Sequence, residues 1–561
     1  MKKVSLLMAA LMLLTSVVGC APQATEEKPA EEQSAEQTGA EASSVVCAGT
    51  GYESEDNSMA VTYLSDAPEG LAETAVPDTL TVANIGEPVN LYPYTANQMP
   101  AVNAMTPMYE PLIRYNTFSG EYEPCLAESW EWIDDSTLRL HLRQGVKCHA
   151  GYDFTASDVL WSAQQGVESS VSNYIWGMFD VENWEIQDDY TIDVKTFGPF
   201  GPIFAYLSDT SVGLITDQQA YEEQTPEEYS RNPTGGYGPY QFVEWVAGDH
   251  ITYKRFEDYY GAKPYYANLV LRNIADDVAR ALALEAGEVD VIYNVDTASA
   301  QNLIDSPAVD VITFPAYFLI HIGFNSEVKP FDDVRVRQAL RYALDLDSIV
   351  NLAFNGFSDV ADGAWPKAFS AYEPNTNPET AYEYNPEKAK ELLAEAGYAD
   401  GFEFEMIVQD TAAWVQMAEM VQNAYAAIGV KANVQVVDNN TLTALRSEGK
   451  YEAYLARFSF SGDDASFTYM RYYSDEPWFC NTVRYNNPEV DDLLDKANAS
   501  LDEDFRMECY HKIQEIVRAE LPYNNLACPL LIHAVRSTLH GMPTNAYGPV
   551  DVRYIRPKTV D

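Results

Sequence analysis

The chain has 561 residues, of which 85 are acidic and 35 basic, giving a net charge of −50. That sign argues against a nucleic-acid partner, because phosphate binding draws on a basic surface. The length exceeds what one hydrophobic core comfortably fills, so two or three domains are expected.

At the N-terminus, Met1-Lys2-Lys3 precedes an apolar run over residues 4–19. A spanning helix needs roughly 20 residues, and this run is shorter. A basic start, an apolar middle and small residues before a cut describe a secretory signal peptide, here residues 1–19. The run ends in Val17-Val18-Gly19-Cys20, which resembles a bacterial lipobox. That resemblance implies cleavage before Cys20 and a diacylglycerol on its sulfur. Two acyl chains, each contributing about 0.8 kcal/mol per buried methylene, make a stable anchor where one does not. Residues 21–44 are dominated by Ala, Glu, Gln, Ser, Thr and Pro and hold no aromatic. Such a segment cannot bury enough apolar surface to offset its ordering entropy. Residues 20–76 are therefore read as a disordered, acidic, lipid-anchored tether. The body beyond them keeps a strong negative charge of its own, which suits solubility and cationic ligands.

From Pro77 the pattern becomes globular. Leu80, Val82 and Ala83 suggest a short strand ended by Gly86-Glu87-Pro88. Leu138, Leu140 and Leu142 alternate with Arg139, His141 and Arg143, the signature of a half-buried strand. A helix follows, with Thr155 and Asp158 as a capping box and Phe154 as its staple. The stretch "GGYGPYQFVEWVAGDHITYKRF" reads as a glycine turn and two strands. A helix from Val278 to near Gly287 feeds a strand over 289–293, a pairing typical of an α/β layer. Val336, Ala339, Leu340, Ala343 and Leu344 form one apolar helical stripe. Asn385-Pro386 and Asn487-Pro488 open two further helices, and Gly397 closes the first. Strands "FEFEMIVQD" and "VKANVQVVD" flank a helix over 417–428. The expectation is a large mixed α/β protein.

Chemistry-bearing signatures are sparse. Beside Cys20 stand Cys47, Cys125, Cys148, Cys480, Cys509 and Cys528. Six cysteines allow fifteen pairings, and the sequence leaves their connectivity open. None forms CxxC, and the seven histidines show no HExxH spacing. A Walker A loop, a GxSxG elbow, an EF-hand loop and GxGxxG are also missing. The residues thus favour a binding protein over an enzyme, with no catalytic residue, no metal site and no cofactor assigned.

Several motifs then occur in order: "GEYEPCLAESWEW", "STLRLHLRQGVKCHAGYDFTASDVLWS", "GGYGPYQF", "GEVDV", "PFDDVRVRQALRYALD" and "YNNPEVDDLL". Together they resemble the family-5 extracellular solute-binding proteins, which serve peptide, dipeptide and nickel ABC importers. The resemblance implies an α/β, two-lobed periplasmic-binding-protein-like clamshell of the large class, with mixed sheets flanked by helices. The first lobe would comprise residues 77–104, 233–314 and 526–561, with an extra domain inserted over 105–232. The second lobe would span 315–525, and Phe314-Pro315 and Asn525-Leu526 would be the hinges.

The resemblance also suggests ligand contacts. Peptide-binding relatives hold the ligand ammonium with an aspartate in a Trp-Ser-Gly-Asp-like loop. Phe460-Ser461-Gly462-Asp463 matches it, with Phe460 replacing tryptophan. A buried ammonium needs such a counter-charge. Asp464 stands where the family carries a following Asp-Pro pair, but the loop is shorter and Ala465 replaces the proline. An arginine for a ligand carboxylate is missing between Tyr342 and Arg446, and Lys367 is the substitute considered. Trp365, Trp414 and Tyr237 are expected in the cleft wall, against core packing as the plain alternative. The expected role is a monomeric receptor anchored outside the cell membrane, or in the periplasm where an outer membrane exists. It would pass peptides to an ABC permease. The alternatives are a nickel-chelate, heme or other small-solute receptor of the same fold, and a surface receptor or adhesin without transport.

Overall fold

The computed structural model describes residues 78–116, 121–314, 316–460, 464–475, 481–542 and 551–558, together with the backbone of Val45–Cys47. Two mixed sheets organise them. The larger has eight strands, ordered Val45–Cys47, Val309–Phe314, Leu531–Arg536, Val291–Ile292, Thr79–Asn84, Asn268–Asn273, His250–Arg255 and Tyr240–Val246. The second has six strands, ordered Ser358–Val360, Tyr523–Pro529, Phe318–Phe324, Ala453–Ser459, Phe402–Gln409 and Val430–Val437. A separate four-stranded antiparallel sheet, built from residues within 127–195, lies inside the segment expected to be inserted.

Two segments pass between the large sheets. The first joins Val309–Phe314 to Phe318–Phe324. The second joins Tyr523–Pro529 to Leu531–Arg536, with Leu530 between them. This moves the second expected hinge from Asn525-Leu526 to Leu530. The reason is burial: every residue of Tyr523–Pro529 is buried in the six-stranded sheet. Leu530 then donates its N–H to Phe357 O at 2.9 Å as the chain leaves. A second correction concerns the tether, since Val45–Cys47 pairs in parallel with Val311, Ile312 and Thr313. Val45-Val46 is a β-branched pair within a mostly polar stretch, and such residues favour strands.

Local sequence explains the helices that position the cleft. Asp158 Oδ2 accepts from the Thr155 N–H at 2.8 Å and its hydroxyl at 3.0 Å, so the helix Ala156–Glu168 opens where the capping box lies. Asn385 and Asn487 cap the helices Pro386–Glu395 and Pro488–Asn498, each with proline in the first turn.

Alternation along the six-stranded sheet sorts its side chains onto two faces. On the outer face, Ile320, Ile322, Phe324 and Leu455 pack under the helices Val334–Tyr342, Leu346–Phe354 and Ala412–Ala427. On the inner face, Leu319, Tyr454, Ala456 and Phe458 join a cluster that includes Tyr510, Ile513 and Val517 of the helix Glu503–Glu520. That cluster continues into the inserted domain and the first lobe. Cys125, Cys148, Cys509 and Cys528 are buried free thiols, which takes them out of any disulfide; Cys47 and Cys480 lie outside the described side chains.

Candidate ligand site between the lobes

The strand Ala453–Ser459 delivers Phe460 to the junction of the lobes. Phe460 donates its N–H to Tyr317 O at 2.8 Å, beside the first crossing segment. Its ring is fully buried, 4.7 Å from Phe369 and 4.9 Å from Phe458, and Phe369 meets Tyr317 edge-on at 4.8 Å. The loop after the strand therefore starts on an aromatic platform tied to the hinge.

Asp464 pins the other end of this loop. Its Oδ1 accepts from Ser466 N at 2.8 Å and caps the turn Ala465–Thr468. Its two carboxylate oxygens also accept from Arg506 Nη2, at 2.9 and 2.7 Å. The side chains of Arg506 and Asp464 are only 3% and 8% exposed, which makes this a buried pair. Burial works against the Arg506 charge, but attraction to Asp464, Tyr510 and Glu503 outweighs it and raises the guanidinium pKa. Asp464 is thus engaged within the protein, and Ser461, Gly462 and Asp463 lie outside the described residues.

The same corner touches the inserted domain. Phe467 stacks on Tyr206, with ring centres 5.1 Å apart and planes 20° from parallel. Gly201 donates its N–H to Asn498 O at 2.9 Å. A Cβ on Gly201 would stand 2.1 Å from Ser500 O and 2.8 Å from the Arg506 side chain. Only glycine fits this approach of two backbones.

The other expected ligand residues separate. Trp365 is 1% exposed and meets Tyr510 edge-on at 5.9 Å; its Nε1 has no hydrogen-bond partner among the described residues. Lys367 lies 3.5 Å from Asp359 Oδ2, and burial raises the Asp359 pKa against the pull of this lysine. Trp414 belongs to the outer-face core, so the expectation of a cleft wall is corrected there. It shares a helical stripe with Met417, Ala418, Val421 and Tyr425. Tyr237 is likewise placed in a core, where its hydroxyl donates to Asp217 Oδ2 at 3.1 Å and Phe154 packs edge-on at 5.0 Å. Burial raises the Asp217 pKa to about 6. Arg506, Tyr206 and Phe467 were missed from sequence, since no local pattern links residues so far apart.

Two lobes, two crossings and a buried junction beside them define a clamshell binding protein. Comparison with known proteins names the family. The family model of bacterial extracellular solute-binding proteins, family 5 (middle region), matches residues 121–479, and the chain belongs to that family. Its members are extracellular or periplasmic substrate-binding proteins of ABC transporters rather than enzymes. The chain is 30% identical to heme-binding protein A of Haemophilus influenzae over 446 residues, covering 74% of this chain and 80% of that one. It is 25% identical to the dipeptide-binding protein of Escherichia coli K12 over 500 residues, covering 84% and 93%. Among solved structures, the Helicobacter pylori periplasmic binding protein DppA in complex with the peptide STSA superposes with a TM-score of 0.72. That match has 25% identity and covers 86% of this chain and 98% of that chain.

Proposed function

We propose that this protein is a lipid-anchored receptor that captures peptides between its lobes and delivers them to an ABC permease. The observation that carries the proposal is the loop flanked by Phe460 and Asp464. One end is tied to the hinge through Tyr317 O and the other to Arg506. With Asp464 neutralised by Arg506, Asp463 is the carboxylate left for a ligand ammonium. The same-fold relatives whose names carry a dipeptide or a bound peptide support this choice. Cys20 supplies the anchor, and residues 20–44 give the body reach from the membrane. Trp365, with its buried Nε1 donor, is the aromatic wall residue retained from the sequence.

A heme or another small solute is the second reading, favoured by the relative named for heme binding. Native mass spectrometry on the full chain in detergent, before and after mild denaturation, separates the two. A ladder of released masses that fragment as peptides supports the peptide receptor. A single non-peptide mass, or heme absorbance, overturns it in favour of the second reading.

A further inference from the structure

All three nitrogens of the Arg506 guanidinium are engaged, and Asp464 is only one of their partners. Nε donates to Ala497 O at 3.2 Å and Nη1 to Glu503 Oε2 at 2.7 Å. Nη2 reaches the Tyr510 hydroxyl at 3.3 Å as well as the Asp464 carboxylate. Ala497 lies in the last turn of the helix Pro488–Asn498. The next carbonyl, Asn498 O, is the one that accepts the Gly201 N–H from the inserted domain.

The segment that follows Asp464 is fastened to the same helix. The Tyr469 and Tyr473 hydroxyls donate to the two carboxylate oxygens of Asp495, both at 3.3 Å. Ser474 donates its N–H to Asp491 Oδ1 at 2.9 Å. Residues 464–474 and the helix Pro488–Asn498 thus form one unit, with Arg506 clamped where they meet. The inserted domain touches this unit twice, through the Tyr206–Phe467 stack and the Gly201–Asn498 hydrogen bond. Phe467 stands on the turn that Asp464 caps, and Asn498 O lies beside the carbonyl that Arg506 holds. Neither a single ring stack nor a single backbone hydrogen bond is strong, so docking needs both presented together.

We infer that Arg506 is a positioning residue for closure: it joins Asp464, beside the cargo, to the surface on which the inserted domain docks through Gly201 and Tyr206. Cargo that settles the Asp464 corner favours docking, and docking holds the corner, because coupling between two sites is reciprocal. The inference rests on the proposed reading that cargo is held beside Phe460 and Asp464. It assigns the closing contact to the inserted domain and the second lobe, not to the two large sheets.

Hydrogen exchange on the full chain in detergent tests this, comparing protein that carries its co-purified cargo with protein stripped by mild denaturation and refolding. Where no cargo co-purifies, a mixture of di- to tetrapeptides and, separately, hemin serve as probes. Exchange over residues 198–206 should be about tenfold slower in the loaded protein, a common size for coupled sites. Equal exchange in the loaded and stripped states overturns the inference. Arg506→Lys keeps a cation for Asp464 but loses the planar fork that also reaches Ala497 O. It should remove most of the loaded-against-stripped difference at 198–206 and leave exchange in the strand Phe402–Gln409 as in wild type. A full difference retained in this variant, or faster exchange in that strand as well, overturns the assignment. If Arg506→Lys fails to fold, Asp464→Asn makes the same comparison. The mass of the stripped cargo tests the peptide reading on its own, and a non-peptide cargo with the exchange difference intact sinks that reading while supporting the role of Arg506.

Discussion

The two faces of the six-stranded sheet differ more than the two lobes do. The outer face is a largely apolar layer in which Trp414, Met417, Ala418, Val421 and Tyr425 follow helical spacing. The inner face mixes Phe458 and Phe460 with buried His321, Arg471 and the Asp464–Arg506 pair. One rule of strand alternation produced both, yet the buried carboxylate–guanidinium pair lies on the inner side, whereas the buried cations of the outer layer, Arg337 and Arg341, donate to backbone carbonyls. Buried charge is expensive unless it is paired, so a face that keeps several is organised around what it binds or holds shut.

The largest expected effect breaks the pair at the corner. Arg506→Met leaves Asp464 buried without its partner, and breaking a buried pair costs about 3–5 kcal/mol. Urea unfolding should show that loss, and Asp464→Asn combined with Arg506→Met should recover part of it. A comparable loss, about 3–5 kcal/mol, is expected for Trp414→Ala on the outer face. Calorimetry should nevertheless find its ligand affinity unchanged, and this sharpens the contrast between the faces.

Sequence revealed the outer face more fully than the inner one. Periodicity at Val336, Ala339 and Leu340 and the Asn385-Pro386 start are local signals, and the structure reproduces them. Trp414 was misplaced because its aromatic character suggested a pocket, while its helical spacing with Met417 and Val421 placed it in the core. The second crossing lies later than the family resemblance implies, because Asn524 and Asn525 are buried within the strand Tyr523–Pro529. The Asp464–Arg506 pair spans 42 positions and three helical elements, so no local pattern could reveal it.

A pH titration separates the faces with a smaller effect. Burial, with Arg471 and Arg446 nearby, depresses the His321 pKa well below its usual value. The unfolded chain then binds a proton that the folded inner face refuses. Stability should be fully present above the unfolded value of about 6.5 and fall as pH drops below it, by up to about 1.4 kcal/mol per pH unit for this group. Hydrogen exchange in the strand Phe318–Phe324 should follow that fall, whereas exchange in Val430–Val437, on the far edge, should lack this step.

Smaller still is the stack across the lobes. Tyr206→Leu keeps apolar bulk but loses the ring pair with Phe467, worth about 0.5–1.5 kcal/mol. Ligand affinity should weaken up to about tenfold with little change in unfolding. Gly201→Ala, which brings a Cβ against Ser500 O, should weaken ligand in the same assay by blocking the approach.

The central claim is that Asp463 receives the ammonium of a peptide held between the lobes. Calorimetry on a cycle of wild type and Asp463→Asn, each with a co-purified peptide and its N-acetylated form, tests it most directly. A charge-assisted bond of about 1.5–3 kcal/mol predicts a loss of roughly 10–150-fold from either change alone, and little further loss when both are made. Equal affinity for the free and acetylated peptides, or losses that simply add, would contradict the assignment.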